Sequence, residues 1–193
     1  MKTPHALITA AALLTIPSVF AQNMIRENLN IPTWAENTEL KVGYVYENLD
    51  IDGIRDVDNH GIAIEGNKSF NLENGWVTTS AAIFKTSDSE DDFSEIDNTS
   101  IGFTQRITKP YEMSQMVLYP ILGLGVSYGE LEYGEFDSFD QEYVSANAEA
   151  TLKLDTLRGV APYLSYTYQI ANLEDTERDM NVHAVSGGVS FVF

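Results

Sequence analysis

From residue 39 onward the chain alternates apolar and polar side chains over short segments parted by turn-rich stretches. Alternation with period two sends successive side chains to opposite faces of a strand, so each segment predicts a β-strand. Eight segments stand out: Glu39 to Leu49, His60 to Phe70, Gly75 to Lys85, Thr99 to Thr108, Met116 to Gly129, Tyr143 to Leu154, Val160 to Ile170 and Val182 to Phe193. Each approaches the roughly 9 to 11 residues that a tilted strand needs to cross a bilayer. In the sixth, Val144, Ala146, Ala148, Ala150, Leu152 and Leu154 share one face, against Tyr143, Ser145, Asn147, Glu149, Thr151 and Lys153. The fifth sets Leu118, Leu122, Leu124, Val126 and Tyr128 against Tyr119, Gly123, Gly125 and Ser127. The first sets Leu40, Val42, Tyr44 and Tyr46 against Glu39, Lys41, Gly43 and Glu47, while Trp76 to Phe84 is readable either way.

The connections alternate in kind. Asn71 to Asn74, Lys109 to Gln115 and Asp155 to Gly159 are short. Asp50 to Asn59, Thr86 to Asn98, Glu130 to Glu142 and Ala171 to Asn181 are longer and acidic, with formal charges of -3, -6, -6 and -3 that together equal the chain's whole net charge of -18. Lys68, Arg106, Lys109, Lys153 and Arg158 lie at or near the short turns, which gives an acidic pole and a mildly basic one. Short turns at one end and long loops at the other predict an eight-stranded antiparallel up-and-down transmembrane β-barrel over residues 39–193, with four acidic loops facing the cell exterior.

A soluble eight-stranded barrel with an apolar interior alternates in the same way, so the pattern alone does not say which face is outside. Four features favour the membrane. The chain stops on a strand with Val185, Val189, Phe191 and Phe193 on one face. Aromatic residues gather near strand ends (Tyr44, Tyr46, Trp76, Tyr128, Tyr143, Tyr166, Tyr168), as interfacial girdles require. The polar face carries both signs of charge in mid-strand, and no Gly-x-Trp pattern typical of lipocalins stands near the first strand.

Residues 1–21 read as a secretory signal: Lys2, an apolar run from Ala6 to Phe20, and small residues before an expected cleavage after Ala21. That run is too short for a transmembrane helix. Residues 22–38 form a polar, Pro-containing leader expected in the periplasm. The absence of cysteine excludes disulfides and lipoprotein processing. A net charge of -18 argues against nucleic acid and phosphate-rich partners, which need clustered Lys and Arg.

The run Tyr119-Pro120-Ile121-Leu122-Gly123-Leu124-Gly125-Val126-Ser127-Tyr128 is similar to the Pro-Tyr-x-Gly-x-Gly-x-Gly-Tyr strand of the opacity-protein-like group, and Ala161-Pro162-Tyr163 opens a second strand of that kind. With the terminal Val189-Ser190-Phe191-Val192-Phe193, these residues resemble the small outer-membrane barrels of the OmpA/OmpX type over Glu39 to Phe193. The resemblance implies that Val189, Phe191 and Phe193 form the signal read by the barrel-insertion machinery. It also implies a Gram-negative outer membrane, with lipid and lipopolysaccharide as neighbours.

An eight-stranded barrel is just wide enough for side chains to fill. Glu39, Lys41, Glu47, Glu65, Arg106, Glu149 and Lys153, with Tyr119 and Tyr163, are therefore expected to plug the lumen as ion pairs, since buried charges must pair. The alternative is a narrow, cation-preferring channel in which those pairs rearrange. Asp88, Glu90, Asp91, Asp92, Glu132, Glu135 and Asp137 could bind Ca²⁺ or Mg²⁺ weakly, although Asp50-Ile51-Asp52-Gly53 lacks EF-hand spacing and a solvated acidic surface is the better explanation of them. No resident cofactor is expected. Phe93, Tyr133, Phe136 and Phe139 could anchor an adhesive contact or simply pack their own loops. Some small barrels modify lipid A with a His, a Ser and an acid, but here neither His60 nor His183 has a Ser within two positions. The expected protein is a monomeric, non-enzymatic barrel with a structural or surface-interaction role. The channel is the alternative, and a lipid-modifying enzyme the outsider.

Overall fold

A computed structural model describes residues 38–53, 56–89, 96–114, 116–133, 139–155, 160–173 and 178–192. The expected signal peptide, residues 22–37 of the expected leader and Phe193 lie outside them, while Thr38 begins the first strand.

The described chain is a closed antiparallel barrel with strands β1 (Thr38–Ile51), β2 (Val57–Asn71), β3 (Val77–Ser89), β4 (Ile96–Thr108), β6 (Met116–Tyr133), β7 (Phe139–Asp155), β8 (Val160–Leu173) and β9 (Arg178–Val192). A three-residue strand, β5 (Tyr111–Met113), folds back on β6 within the β4–β6 turn. Closure comes from β1, which pairs with both β2 and β9, and from β4, which pairs with β6. Each of the eight long strands thus has two neighbours, and no ladder edge is left for lipid to meet. No described helix is long and apolar enough to cross a membrane.

The barrel is inside-out relative to a water-soluble protein. Leu122, Leu124, Val126, Ile101, Leu152 and Leu164 are exposed on its outer wall, with Leu124 at 71%. Lys41, Arg106, Glu149 and Ser190 are buried inside. A bare apolar wall around a polar interior is unfavourable in water and favourable in hydrocarbon. The third strand, ambiguous in sequence, presents Ala82 and Phe84 outward and Ala81, Ile83 and Lys85 inward.

The strands outrun the predicted segments at one end. β1 continues to Ile51, β3 to Ser89 and β6 to Tyr133, while β2 begins at Val57, β4 at Ile96, β7 at Phe139 and β9 at Arg178. Only 52–56, 90–95, 134–138 and 174–177 remain between strands, so most of the residues expected in four long loops belong to the sheet. The reason is that alternation persists there with its sense reversed. Asp50, Asp58, Asp88, Glu130, Glu132, Glu142 and Asp179 are exposed, while Leu49, Ile51, Val57, Ile96, Leu131, Leu173, Met180 and Val182 are buried. Beyond the apolar band the barrel is therefore an ordinary water-facing sheet around a hydrophobic core, a short crown built on the same strands.

Candidate functional site

The lumen is stratified from the short-turn end toward the crown. In the first layer Lys153 Nζ donates to Glu39 Oε1 at 2.9 Å and lies 4.6 Å from the centre of the Tyr119 ring. In the second, Glu65 receives both Lys41 (2.8 Å) and the Arg106 guanidinium, whose Nη2 reaches Glu65 Oε2 at 2.7 Å and Glu149 Oε2 at 2.6 Å. Asn67 Oδ1 accepts from Arg106 at 3.0 Å, Thr151 donates to Glu149 at 2.8 Å, and Lys41 sits over the Tyr163 ring at 5.3 Å. Strands β1, β2, β4, β7 and β8 are tied across the lumen by this lattice. Close approach is needed for it: a Cβ on Gly43 would collide with the Tyr163 hydroxyl and the Gly187 carbonyl.

Above the lattice lies a chamber of about 80 Å³ lined by Ser100, Thr104, Thr167, Gln169 and Ser186 among others, with Arg106 and Lys85 at its margins. Gln169 Nε2 and Arg106 Nε have no protein partner. The chamber is roofed by a third polar layer in which the fully buried Glu47 accepts from Lys85, from Ser87 Oγ (2.6 Å) and from Asn98 Nδ2 (3.0 Å). Tyr143 donates to Asn98 Oδ1 at 2.7 Å and closes that layer. Over it sits the core of the crown: Leu49, Ile51, Val57, Ile96, Leu131, Tyr143, Ala171, Leu173, Met180 and Val182, each no more than 5% exposed.

All seven candidate lumen charges point inward and take a partner of opposite sign. Lys85 is the ion-pair member that sequence reasoning missed. Four lumen carboxylates against three cations demanded one more cation, and Lys85 is the basic residue of the third segment. Of the insertion-signal residues, Val189 pairs with Val42 and Phe191 with Leu40 on the outer wall. Of the candidate metal ligands, Asp88 and Glu132 are exposed on the crown, while Glu90, Asp91, Asp92, Glu135 and Asp137 lie outside the described residues. Among the described residues no group of three or more His, Asp or Glu is placed to hold a metal. Tyr133 and Phe139 end strands, whereas Phe93 and Phe136 lie outside the described residues.

The two described histidines, His60 and His183, sit on the outer wall where the apolar band meets the crown, in matching surroundings. Tyr44 on β1 is hydrogen-bonded to His60 Nδ1 on β2, and Tyr46 stacks 5.3 Å from the same ring. Tyr166 on β8 meets His183 Nδ1 on β9 at 2.7 Å, with Tyr168 at 5.0 Å. A Tyr-x-Tyr strand beside a His is a girdle arrangement, amphipathic rings at a water boundary.

No family model and no curated protein matches the chain. Solved structures do. Neisserial surface protein A aligns with a TM-score of 0.63 at 10% identity, over 82% of this chain and 98% of that one. Ail, the attachment invasion locus protein of Yersinia pestis, aligns with a TM-score of 0.52 at 17% identity, over 81% and 99%. At such identities the likeness is one of fold, and that fold is the small eight-stranded barrel of outer-membrane proteins.

Proposed function

We propose that this chain is a non-enzymatic outer-membrane barrel with a structural and surface-interaction role, holding an acidic crown outside the cell. The observation that carries this reading is the reversal of side-chain sense along the strands. An apolar wall suits lipid below, and a carboxylate-studded wall around its own core suits water above. Charge favours the crown as the outer end, since the short-turn end is close to balanced, with Lys68 and Lys109 against Glu73, Glu112 and Asp155, and the crown carries most of the acids. The two solved barrels of like fold are named as a surface protein and an attachment protein, which supports a role at the surface. A closed sheet needs no second copy, so the barrel acts as a monomer among lipid and lipopolysaccharide. Its insertion uses the terminal run containing Val189 and Phe191.

The test is an epitope inserted in 134–138 and probed on intact cells. Antibody staining without permeabilisation is the expected result, and staining only after permeabilisation overturns the orientation. Purified protein in planar bilayers is expected to show the baseline of empty bilayers, because the ion-pair lattice below the chamber and the polar layer and apolar core above it close the lumen. Steady conductance from the unaltered chain would instead favour a cation-preferring channel.

A further inference from the structure

The ion-pair lattice and the crown core block the same lumen, yet they block it by different physics and at different heights. On β1 the lattice residue Lys41 and the core residue Leu49 are separated by Gly43, Val45 and Glu47, and the chamber lies between them. The lattice is polar throughout and borders a chamber whose size admits on the order of five waters. Arg106 Nε and Gln169 Nε2, both buried and without a protein partner, line that chamber and need acceptors there. Ion pairs beside water can exchange partners, because a carboxylate that loses its guanidinium is still solvated. The crown core offers almost no such substitute. Its aliphatic members come from β1, β2, β4, β6, β8 and β9, converge on the axis and carry no side-chain donor. An ion entering that layer would shed most of its hydration, with only Gln141 Oε1 and the Tyr143 hydroxyl at the edge of the core to replace it, and an apolar constriction excludes water as well.

We propose that the lumen is a pore interrupted twice, with the apolar core of the crown, and not the ion-pair lattice, as the barrier to ions from the crown side. The chamber is a hydrated vestibule closed at both ends. This deepens the non-conducting reading above and rests on it. Loosening the lattice alone opens the vestibule only from the short-turn end. Loosening the crown together with the Glu47–Lys85 layer beneath it opens the vestibule only from the other. Through-conduction requires both.

The absence of cysteine makes the test clean, since an introduced thiol is the only one present. Ser186→Cys places a thiol on the vestibule wall. Arg106→Ser with Glu149→Ser loosens the lattice while removing one charge of each sign and keeping the Lys41–Glu65 pair. Leu49→Ser with Met180→Ser, in a Glu47→Ser with Lys85→Ser background that removes the polar roof, loosens the crown. In the same background, Leu173→Ala with Met180→Ala does so without adding polar atoms to the core if the core serine pair fails to fold. Folding of every variant is read by heat-modifiable gel migration. In detergent or nanodiscs, a cationic methanethiosulfonate is expected to spare Ser186→Cys in the parent and to modify it to completion in either loosened background. In planar bilayers, discrete conductance steps are expected only when lattice and crown are loosened together. Steps from the lattice variant alone overturn the proposal and leave the non-conducting reading of the native chain intact. Steps from the unaltered chain overturn that reading itself. A folded combined variant that stays silent, or a thiol unmodified in the loosened crown, also overturns the proposal.

Discussion

Replacing Lys85 by Met tests whether the lumen is closed to bulk water. Lys85 is the cationic partner of Glu47, whose side chain is 0% exposed and keeps only two neutral donors, Ser87 and Asn98, once the ammonium is gone. Stranding one member of a buried pair costs about 3–5 kcal/mol, whereas an exposed pair is worth about 0–1 kcal/mol. The two neutral bonds retain part of the solvation, so the lower end, about 3 kcal/mol, is expected for Lys85→Met. Adding Glu47→Gln removes the stranded charge yet keeps an acceptor for Ser87 and Asn98. The double variant should then lie within about 1 kcal/mol of the parent, so the second substitution recovers about 2 kcal/mol, and the coupling exceeds that by whatever Glu47→Gln costs alone. Reversible urea unfolding from lipid vesicles, followed by tryptophan fluorescence, supplies the cycle. A loss below about 1 kcal/mol for Lys85→Met would refute the reasoning, because Glu47 would then be solvated and the roof of the chamber would not be sealed.

Two further predictions address the wall and the close contacts. Leu124→Arg, at the most exposed point of the apolar band, should cost about 2–4 kcal/mol in vesicles, while Glu132→Arg on the crown should stay within about 0.5 kcal/mol. Equal costs at the two sites would remove the boundary between band and crown. Gly43→Ala drives a methyl group against the Tyr163 hydroxyl and the Gly187 carbonyl and should cost about 1–3 kcal/mol. Gly66→Ala has open space and should be near neutral in the same urea titration.

Strand number, strand order and, outside the third segment, the face each side chain shares were legible, because one alternation rule runs from Leu40 to Val189. The lattice was legible too, since Lys41, Glu65, Arg106 and Glu149 share the parity of the polar face. The crown was not. Leu49, Ile51, Leu131 and Met180 sit among Asp and Glu, and a rise in charge reads as loop when the sense of the pattern is assumed constant. Following parity alone would have carried β6 through Leu131, with Glu130 and Glu132 outward. Lys85 was hidden by a stretch of Thr, Ser and Ala, residues that suit either face. Its partner, a carboxylate left over in the lumen, was the available clue.

The crown also sets a height. From Tyr128, the last ring of the band on β6, the strand continues to Tyr133. At about 3.3 Å per residue and a tilt near 40°, that sets the end of the strand roughly 12 Å beyond the band. Because the crown is held by its own apolar core, the connecting tips can change in sequence and length without disturbing the part that sits in the bilayer.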